Sequence, residues 1–205
     1  MTWRHPIDSV RITDHYGDNE PPRTSPHRGT DYVTKRKGLL RAVNDAKVID
    51  IYWTNCLGWV CAIKIDGSDW VFSYCHLNCT QHGENCKGPS AHPDGSNCMK
   101  NLKVGDSVVS GQPVGRQGNS GSCSRGSHCH LVQGQSKRSA VRGKTWDAYK
   151  YIEKQIKREA ENGKTQDTSR REESDDTGAK EVPKKTQATL GSVMGRFWVF
   201  WNRRR

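Results

Sequence analysis

The sequence predicts a mainly β fold built from antiparallel sheets, with one C-terminal helix and a disordered tail. Across residues 33–132 the apolar residues occur in short or alternating runs typical of strands, and Gly, Pro, Asn and Asp separate these runs. The dipeptides Leu57-Gly58 and Asp66-Gly67 favour chain reversals between strands. With 205 residues, the chain is long enough for one domain and an appendage but not for two full domains.

The amino-acid composition of the C-terminal part of the chain changes after residue 156 and again after residue 188. Residues 146–156 (WDAYKYIEKQI) carry apolar side chains at helical spacing, so we expect a helix that closes a domain of residues 1–156. Residues 157–188 are rich in charged residues, Ser and Thr, which predicts a disordered linker. Residues 189–205 combine aromatic residues with a basic end. This segment suits docking to a membrane surface or a partner, and packing back on the domain is an equal alternative.

The chain is strongly basic, with 33 Lys and Arg residues against 22 Asp and Glu residues. Its formal net charge of +11 favours a polyanionic partner such as nucleic acid, an anionic membrane or an acidic cell-wall polymer. Specific nucleic-acid binding is disfavoured, because the basic residues are dispersed and form no recognised stacking motif with aromatic ones. The first residues contain no apolar run of signal-peptide length, so we expect synthesis in the cytoplasm without an export signal.

Eight cysteines suit either disulfides or metal sites, and their spacing leaves the connectivity open. Cys56 and Cys61 flank a predicted hairpin, where a cross-strand bridge is possible. Residues 79–100 are polar and aperiodic, which indicates a loop insertion. Within this insertion, disulfides are the favoured interpretation and a second, structural zinc site is the alternative for Cys79, His82, Cys86, His92 and Cys98.

A first candidate metal-binding motif is His27-Arg-Gly-Thr-Asp31. Pro26 and Gly29 disfavour a helix, so we expect a loop that enters a strand and presents both side chains. A neutral imidazole nitrogen and a carboxylate oxygen are both good zinc ligands. Two such residues alone are weak evidence for a metal site, so the motif gains its weight from others in the chain.

The second motif is His128-Cys129-His130, which follows a Gly- and Ser-rich stretch. In a strand, side chains alternate between faces, so the two histidines share one face and Cys129 points to the other. Both histidines could approach one metal ion, or one could bind it while the other handles its water, and spacing leaves these roles open. A further histidine, His76, lies at the end of an apolar strand.

The sequence resembles the lysostaphin-type peptidoglycan zinc metallopeptidases (LytM-like, duplicated hybrid motif domains). HRGTD, YCHL, LKVGDSVVSGQPVGRQGNSG and SHCHL occur in the order of that family's signatures, and the resemblance covers residues 3–156. It implies an antiparallel β metallopeptidase domain with zinc held by His27, Asp31 and His130. It also implies that His128 acts as general base and that His76 stabilises the charge on the tetrahedral intermediate. Three protein ligands leave one zinc position for water.

The sequence departs from the family pattern next to the motifs. Ser127 stands where the family usually has Gly, and Cys75 and Cys129 replace apolar residues. Strand alternation predicts that both cysteines point away from the metal, where they either form a bridge or pack in the core. Tyr74 is either a hydrogen-bond donor near the site or a packing residue.

The expected function is that of a monomeric zinc endopeptidase that cuts the stem peptide or cross-bridge of peptidoglycan. By analogy, a small basic lytic enzyme without an export signal resembles a bacteriophage endolysin or virion-associated lysin, which acts on the wall after release at lysis or from a virion. The basic tail suits an anionic wall polymer or a membrane surface. An inactive wall-binding module is the alternative, and the presence of all five site residues argues against it.

Overall fold

The computed structural model describes residues 2–21, 23–35, 38–78 and 102–175. Two predicted features lie outside the described residues: the loop insertion at residues 79–100, with its Cys and His residues, and the basic aromatic segment at residues 189–205. Within the described ranges, strands predominate and one helix follows them. None of the helical structure in these ranges has both the length and the apolarity needed to cross a membrane.

Nine strands in the described part of the chain form two antiparallel sheets. The strands are β1 (Ile12–Asp14), β2 (Thr30–Tyr32), β3 (Leu39–Arg41), β4 (Ala46–Thr54), β5 (Gly58–Ile65), β6 (Val71–Leu77), β7 (Ser107–Val108), β8 (Pro113–Arg116) and β9 (Cys129–Gly134). Seven of them form one sheet in the order β1-β2-β9-β6-β5-β4-β7, and β3 pairs with β8 in a two-stranded sheet. The predicted mainly β, antiparallel fold is confirmed.

Both predicted reversals join neighbouring strands. Leu57-Gly58 lies where the turn from β4 enters β5, and Asp66-Gly67 lies in the turn between β5 and β6. Gly58 and Gly67 have φ angles of 64° and 66°, which residues with a Cβ atom rarely adopt. These turns explain why β4, β5 and β6 lie side by side in the sheet.

Strands β6 and β9 are buried along their whole length because apolar clusters cover both faces of the sheet. Phe72 and Leu131 pack in the larger cluster, and Val71 and Val132 pack in the smaller one on the opposite face. Burial of side chains of this size contributes about 1.5–3 kcal/mol each. The strands that carry His76 and His130 are therefore held from both sides.

The predicted helix is present as α1 (Ala148–Asp175), but it ends later than expected. Ile152 is fully buried in the main core, and Tyr149 and Ile156 pack against that core. The compact unit to which these residues belong extends to Gln166, and the next unit is helical over its described residues, 167–175. The first part of the predicted disordered linker is therefore helical, because Lys, Arg, Glu and Gln favour helix even without an apolar face.

Candidate metal centre

His27 lies on the loop that leads into β2, where hydrogen bonds hold both its backbone and its ring. Its backbone N–H donates to the Asp18 carbonyl at 2.8 Å, and its own carbonyl accepts from the Gly17 N–H at 2.8 Å. On the ring, Nδ1 donates to the carbonyl oxygen of His15 at 2.9 Å. Because a carbonyl oxygen only accepts, the proton of the neutral ring is on Nδ1, and the Nε2 lone pair is available to a metal.

Three of the five predicted site residues, His27, Asp31 and His130, converge on one point. Asp31 in β2 lies directly opposite His130 in β9, and Oδ1 of Asp31 is 2.9 Å from Nδ1 of His130. Nε2 of His27 lies 2.9 Å from that nitrogen and 3.2 Å from Oδ1 of Asp31. Ligand atoms of a tetrahedral zinc ion lie about 3.4 Å apart. The donor set and its spacing therefore fit zinc.

The electrostatics of the three residues also suit a metal ion. Burial raises the pKa of the Asp31 carboxyl, but the contacts with His130 and His27 outweigh burial and hold that pKa well below its usual value. Burial lowers the pKa of His130, and contact with Asp31 only partly offsets this effect. The cluster thus contains an ionised carboxylate and a neutral imidazole at His130, which are the protonation states that metal binding requires.

His128 and His76 lie beside this cluster, and the same ring nitrogen of each is hydrogen-bonded to a backbone carbonyl. Nδ1 of His128 donates to the Gly126 carbonyl at 2.8 Å, and Nδ1 of His76 donates to the Ser120 carbonyl at 2.8 Å. In the neutral form of each ring, Nε2 is therefore the basic nitrogen. Nε2 of His128 is 3.6 Å from Oδ2 of Asp31, and the ring centroids of the two histidines are 4.7 Å apart.

A bulge in β6 directs His76 towards the site. Between two pairs with β5, Cys61 with Tyr74 and Trp59 with Leu77, β6 contains one residue more than β5. At this bulge His76 has a φ of 58°, a left-handed conformation that costs a residue with a Cβ atom about 1–3 kcal/mol. Burial, together with the nearby rings of His128 and His130, lowers the pKa of His76 to about 3, so its ring is neutral near pH 7.

The same bulge corrects the prediction that Cys75 points away from the metal. Cys75 is paired directly with His130 across β6 and β9, so the two side chains share a face of the sheet. Alternation around His76 predicted the opposite face, because it takes no account of an extra residue in the strand. Cys129 points to the other face as expected, and both thiols are buried and unbridged. Core packing is therefore the correct alternative.

The disulfide differs from the Cys56–Cys61 bridge that the sequence left as one possibility. Cys56, in the turn after β4, is bonded to Cys123, with Cα atoms 4.7 Å apart, whereas Cys61 is a buried free thiol in β5. Two hydrogen bonds run beside the bridge, from the Ser122 N–H to the Asn55 carbonyl and from the Cys123 N–H to the Cys56 carbonyl. The bridge therefore attaches the hairpin turn to the loop of residues 118–128, which supplies the carbonyl partners of His76 and His128.

Tyr74 is a structural residue and makes no contact with the metal cluster in the described structure. Its hydroxyl donates to the Arg41 carbonyl at 3.0 Å and accepts from the Val43 N–H at 3.2 Å. The packing alternative for Tyr74 is therefore correct. These bonds connect β6 to the end of β3 and to the chain that follows it.

Sequence reasoning missed two residues that contact the site. Arg23 forms an ion pair with Asp14, and its Nη2 lies 3.9 Å from Oδ2 of Asp31. Gly29 lies against the ring of His130, since a Cβ atom there would be 2.6 Å from Cε1 of His130. The signal for Gly29 was present, because a glycine between two candidate metal ligands indicates a close approach. Arg23 precedes the motif by four residues, and its spacing carries no such signal.

Comparison with known proteins identifies the fold. No family model matches the sequence. The structure is similar to the catalytic domain of the antimicrobial peptidase lysostaphin from Staphylococcus simulans, with a TM-score of 0.53 and 20% identity over 70% of this chain and 92% of that chain. For a zinc-containing peptidase from Vibrio cholerae the TM-score is 0.52, with 22% identity over 72% of this chain and 39% of that chain.

A third similar structure is the catalytic domain of a mutant of EnpA, a prophage-encoded M23 protein from Enterococcus faecalis. Its TM-score is 0.51, with 22% identity over 70% of this chain and 92% of that chain. Similarity at this level of identity concerns the fold. The chain has the fold of the lysostaphin-type (M23) catalytic domains, as its motifs predicted.

Proposed function

We propose that this protein is a zinc-dependent endopeptidase that hydrolyses peptide bonds in bacterial peptidoglycan. The observation that carries the proposal is the buried cluster of His27, Asp31 and His130, flanked by two histidines that are not needed as ligands. The fold supports the same class of reaction, since similar structures include the peptidase lysostaphin and a zinc-containing peptidase. The alternative, an inactive wall-binding module, does not require this complete set of residues.

In the proposed site, His27, Asp31 and His130 would hold a zinc ion, with Nε2 of His27, a carboxylate oxygen of Asp31 and Nδ1 of His130 as the candidate ligand atoms. Bound zinc polarises a scissile carbonyl and lowers the pKa of water towards neutrality. Asp31 brings a negative charge to the cluster, which partly balances the charge of the cation. The hydrogen bond from His27 to the His15 carbonyl keeps the ligand nitrogen unprotonated.

His128 is the proposed general base. Its Nδ1–H is held by the Gly126 carbonyl, so Nε2 is the nitrogen that accepts a proton from the attacking water. Its side chain is 15% exposed, more than those of His27 and Asp31, which suits a group that exchanges protons with substrate and solvent. The ring faces the carboxylate of Asp31, and this negative charge stabilises the imidazolium that forms.

His76 is the proposed residue that stabilises charge on the substrate carbonyl oxygen. Its Nδ1–H is engaged with the Ser120 carbonyl, so only a proton on Nε2 can serve the substrate. Burial disfavours that proton in the free protein, where the pKa of His76 is about 3. We infer that His76 would take up a proton from solvent water only as negative charge develops beside it, which would confine its effect to the transition state.

The test of the proposed function is hydrolysis of intact peptidoglycan by the purified protein. We expect release of free amino groups, loss of release with a chelator, and recovery on adding zinc. Mass spectrometry of the released muropeptides then identifies the bond that is cut. Binding to peptidoglycan without release of amino groups in the zinc-loaded protein would instead support the inactive module.

The proposed biological setting is a bacteriophage endolysin or virion-associated lysin. The prophage-encoded EnpA has a similar structure, and the net charge of +11 favours attraction to anionic wall polymers. A lysin acts on the wall after release, so the purified protein should lower the turbidity of susceptible cells when added from outside. Wall attachment through residues 189–205 remains a prediction, and deletion of this segment should weaken binding to cells more than hydrolysis of soluble fragments.

A further inference from the structure

Gln117 is a buried polar residue whose side chain connects the segment that follows β2 with the segment that precedes β9. Its Oε1 accepts the Thr34 N–H at 2.7 Å, and its Nε2 lies 3.3 Å from the Thr34 carbonyl. The same Nε2 donates towards Ser127, at 3.2 Å from the carbonyl and 3.1 Å from Oγ. Thr34 lies three residues after Asp31, and Ser127 immediately precedes His128. One amide group therefore links the chain beyond a metal ligand to the chain before the proposed base.

The backbone around Gln117 is fixed independently of its side chain. Its N–H donates to the Gly38 carbonyl at 2.9 Å, and it forms an isolated bridge with Leu77, the residue after His76. The carbonyl of the next residue, Gly118, accepts the His128 N–H at 3.0 Å. The amide of Gln117 is thus presented from a rigid position, which is the condition for orienting another group.

His128 needs such support because it lies just outside the regular strand. β9 begins at Cys129, so the sheet ladder does not hold His128, whose N–H is bonded to Gly118 instead. We propose that Gln117 is a positioning residue that, through Thr34 and Ser127, fixes His128 relative to Asp31. This inference rests on the proposed function of His128 as general base. Ser127, which replaces the glycine expected from the family pattern, supplies the hydroxyl contact that this arrangement uses.

The chemistry of the site requires an amide. Oε1 must accept from Thr34 while Nε2 donates to Ser127, and a carboxylate can only accept. Gln117→Glu therefore keeps the shape and the Thr34 N–H contact but sets an acceptor against the Ser127 oxygens. Gln117→Leu removes both contacts and takes this partner from the half-buried backbone groups of Thr34 and Ser127. Ser127→Ala removes only the hydroxyl contact, and Ser127→Thr retains it.

The experiment compares wild type with Gln117→Glu, Ser127→Ala and Ser127→Thr, using muramidase-solubilised peptidoglycan fragments as substrate. Gln112→Glu is the matched control, since Gln112 also accepts a backbone N–H, that of Val109, but lies before β8. Four quantities are measured: kcat, KM, zinc per chain, and the imidazole ¹⁵N resonances of His128 in the metal-free protein. The resonances report the position of His128 without relying on activity.

We expect Gln117→Glu to lower kcat about tenfold or more, because the base is misplaced. Because only the base moves, KM and zinc content should stay within about twofold of wild type. It should also shift or broaden the His128 resonances. Ser127→Ala should have a smaller effect of the same kind, and Ser127→Thr and Gln112→Glu should match wild type.

Unchanged kcat and unchanged His128 resonances in Gln117→Glu would overturn the inference. The inference would also be overturned if the variant lost activity only in proportion to its loss of zinc and of cooperative unfolding. Gln117 would then contribute to packing alone. If the wild-type protein is itself inactive on peptidoglycan, the proposed function fails. In that case the His128 resonances alone decide whether Gln117 positions this residue.

Discussion

Asp31 and His130 face each other directly across β2 and β9, with Oδ1 of the carboxylate 2.9 Å from Nδ1 of the imidazole. The two proposed ligands are 99 residues apart in the chain, so the strand register alone brings them together. A slip of one residue would turn one of them to the other face of the sheet. The proposed metal centre therefore depends on the register of the sheet as well as on the motifs.

Gly29→Ala should disrupt the zinc site without changing a ligand. The added Cβ atom would lie 2.6 Å from Cε1 of His130 and 2.7 Å from the Leu131 carbonyl, so the ring or the strand must move. We expect zinc affinity to fall at least tenfold and stability to fall by about 1–3 kcal/mol. Competition with a chromogenic chelator measures the affinity.

The control for this variant is Gly163→Ala in α1, where an added Cβ atom meets nothing within 4 Å. It should leave zinc affinity unchanged and, because alanine favours helix, raise stability by up to about 1 kcal/mol. Wild-type affinity in Gly29→Ala would mean that the close approach at His130 does not matter for metal binding.

His76→Asn should separate activity from stability. Asparagine tolerates the left-handed φ of 58° better than most residues, so unfolding free energy should stay within about 1 kcal/mol of wild type. Removal of the imidazole should lower kcat by about 10²–10⁴-fold, the usual contribution of a proton-transferring group. Steady-state kinetics and urea denaturation measure the two quantities, and substantial activity in this variant would remove His76 from the mechanism.

Loss of the Cys56–Cys123 disulfide should reduce both stability and activity. The bridge closes a loop with a sequence separation of 67, so chain entropy predicts a loss of about 4 kcal/mol in Cys56→Ser. Activity should fall while zinc is retained, because the bridge supports the loop whose Ser120 and Gly126 carbonyls hold His76 and His128.

Both cysteines of the bridge are exposed, so a dithiol should reduce it in the folded protein and lower activity in the same way. The control is the double variant Cys56→Ser/Cys123→Ser, in which the dithiol should have no further effect. Full activity in the double variant would show that the loop does not need the bridge.

The metal-free protein should lose stability as the pH falls below about 6.5. In the folded state the pKa of His76 is about 3, while its usual value of 6.5 applies to the unfolded chain, so between these values only the unfolded state gains the proton. Between these two pH values, uptake of this proton lowers the free energy of unfolding by at most about 1.4 kcal/mol for each unit that the pH falls. Above about pH 6.5 this effect is absent. Urea denaturation at several pH values should give a smaller slope for His76→Asn than for wild type. Equal slopes would assign the effect to other groups.

The fold could be predicted, and the five candidate site residues could be proposed, because both depend on local patterns. Short apolar runs and the turns at Gly58 and Gly67 indicate the strands, and alternation brings His128 and His130 to one face. The division of these residues into ligands and other site residues came from the resemblance of the motifs to a known family. The structure brings His27, Asp31 and His130 together and sets His76 and His128 beside them.

Other features depend on how distant segments meet, and local patterns do not encode this. The bulge that changes the direction of Cys75 and His76 arises from the register with β5. The Cys56–Cys123 bridge depends on where the loop of residues 118–128 packs. The carbonyls of His15 and Ser120 accept hydrogen bonds from the rings of His27 and His76. Residue type does not indicate such backbone contacts. α1 continues to Asp175 because its residues have a high helix propensity. The high density of charged residues in this segment had instead indicated disorder.

The most direct test of the account is the zinc content of purified single alanine variants of the five site residues, determined by plasma mass spectrometry. Wild type should bind one zinc per chain. His27→Ala, Asp31→Ala and His130→Ala should lose most of it, whereas His128→Ala and His76→Ala should retain it and lose hydrolysis of peptidoglycan. Loss of zinc in His128→Ala together with its retention in His130→Ala would contradict the account.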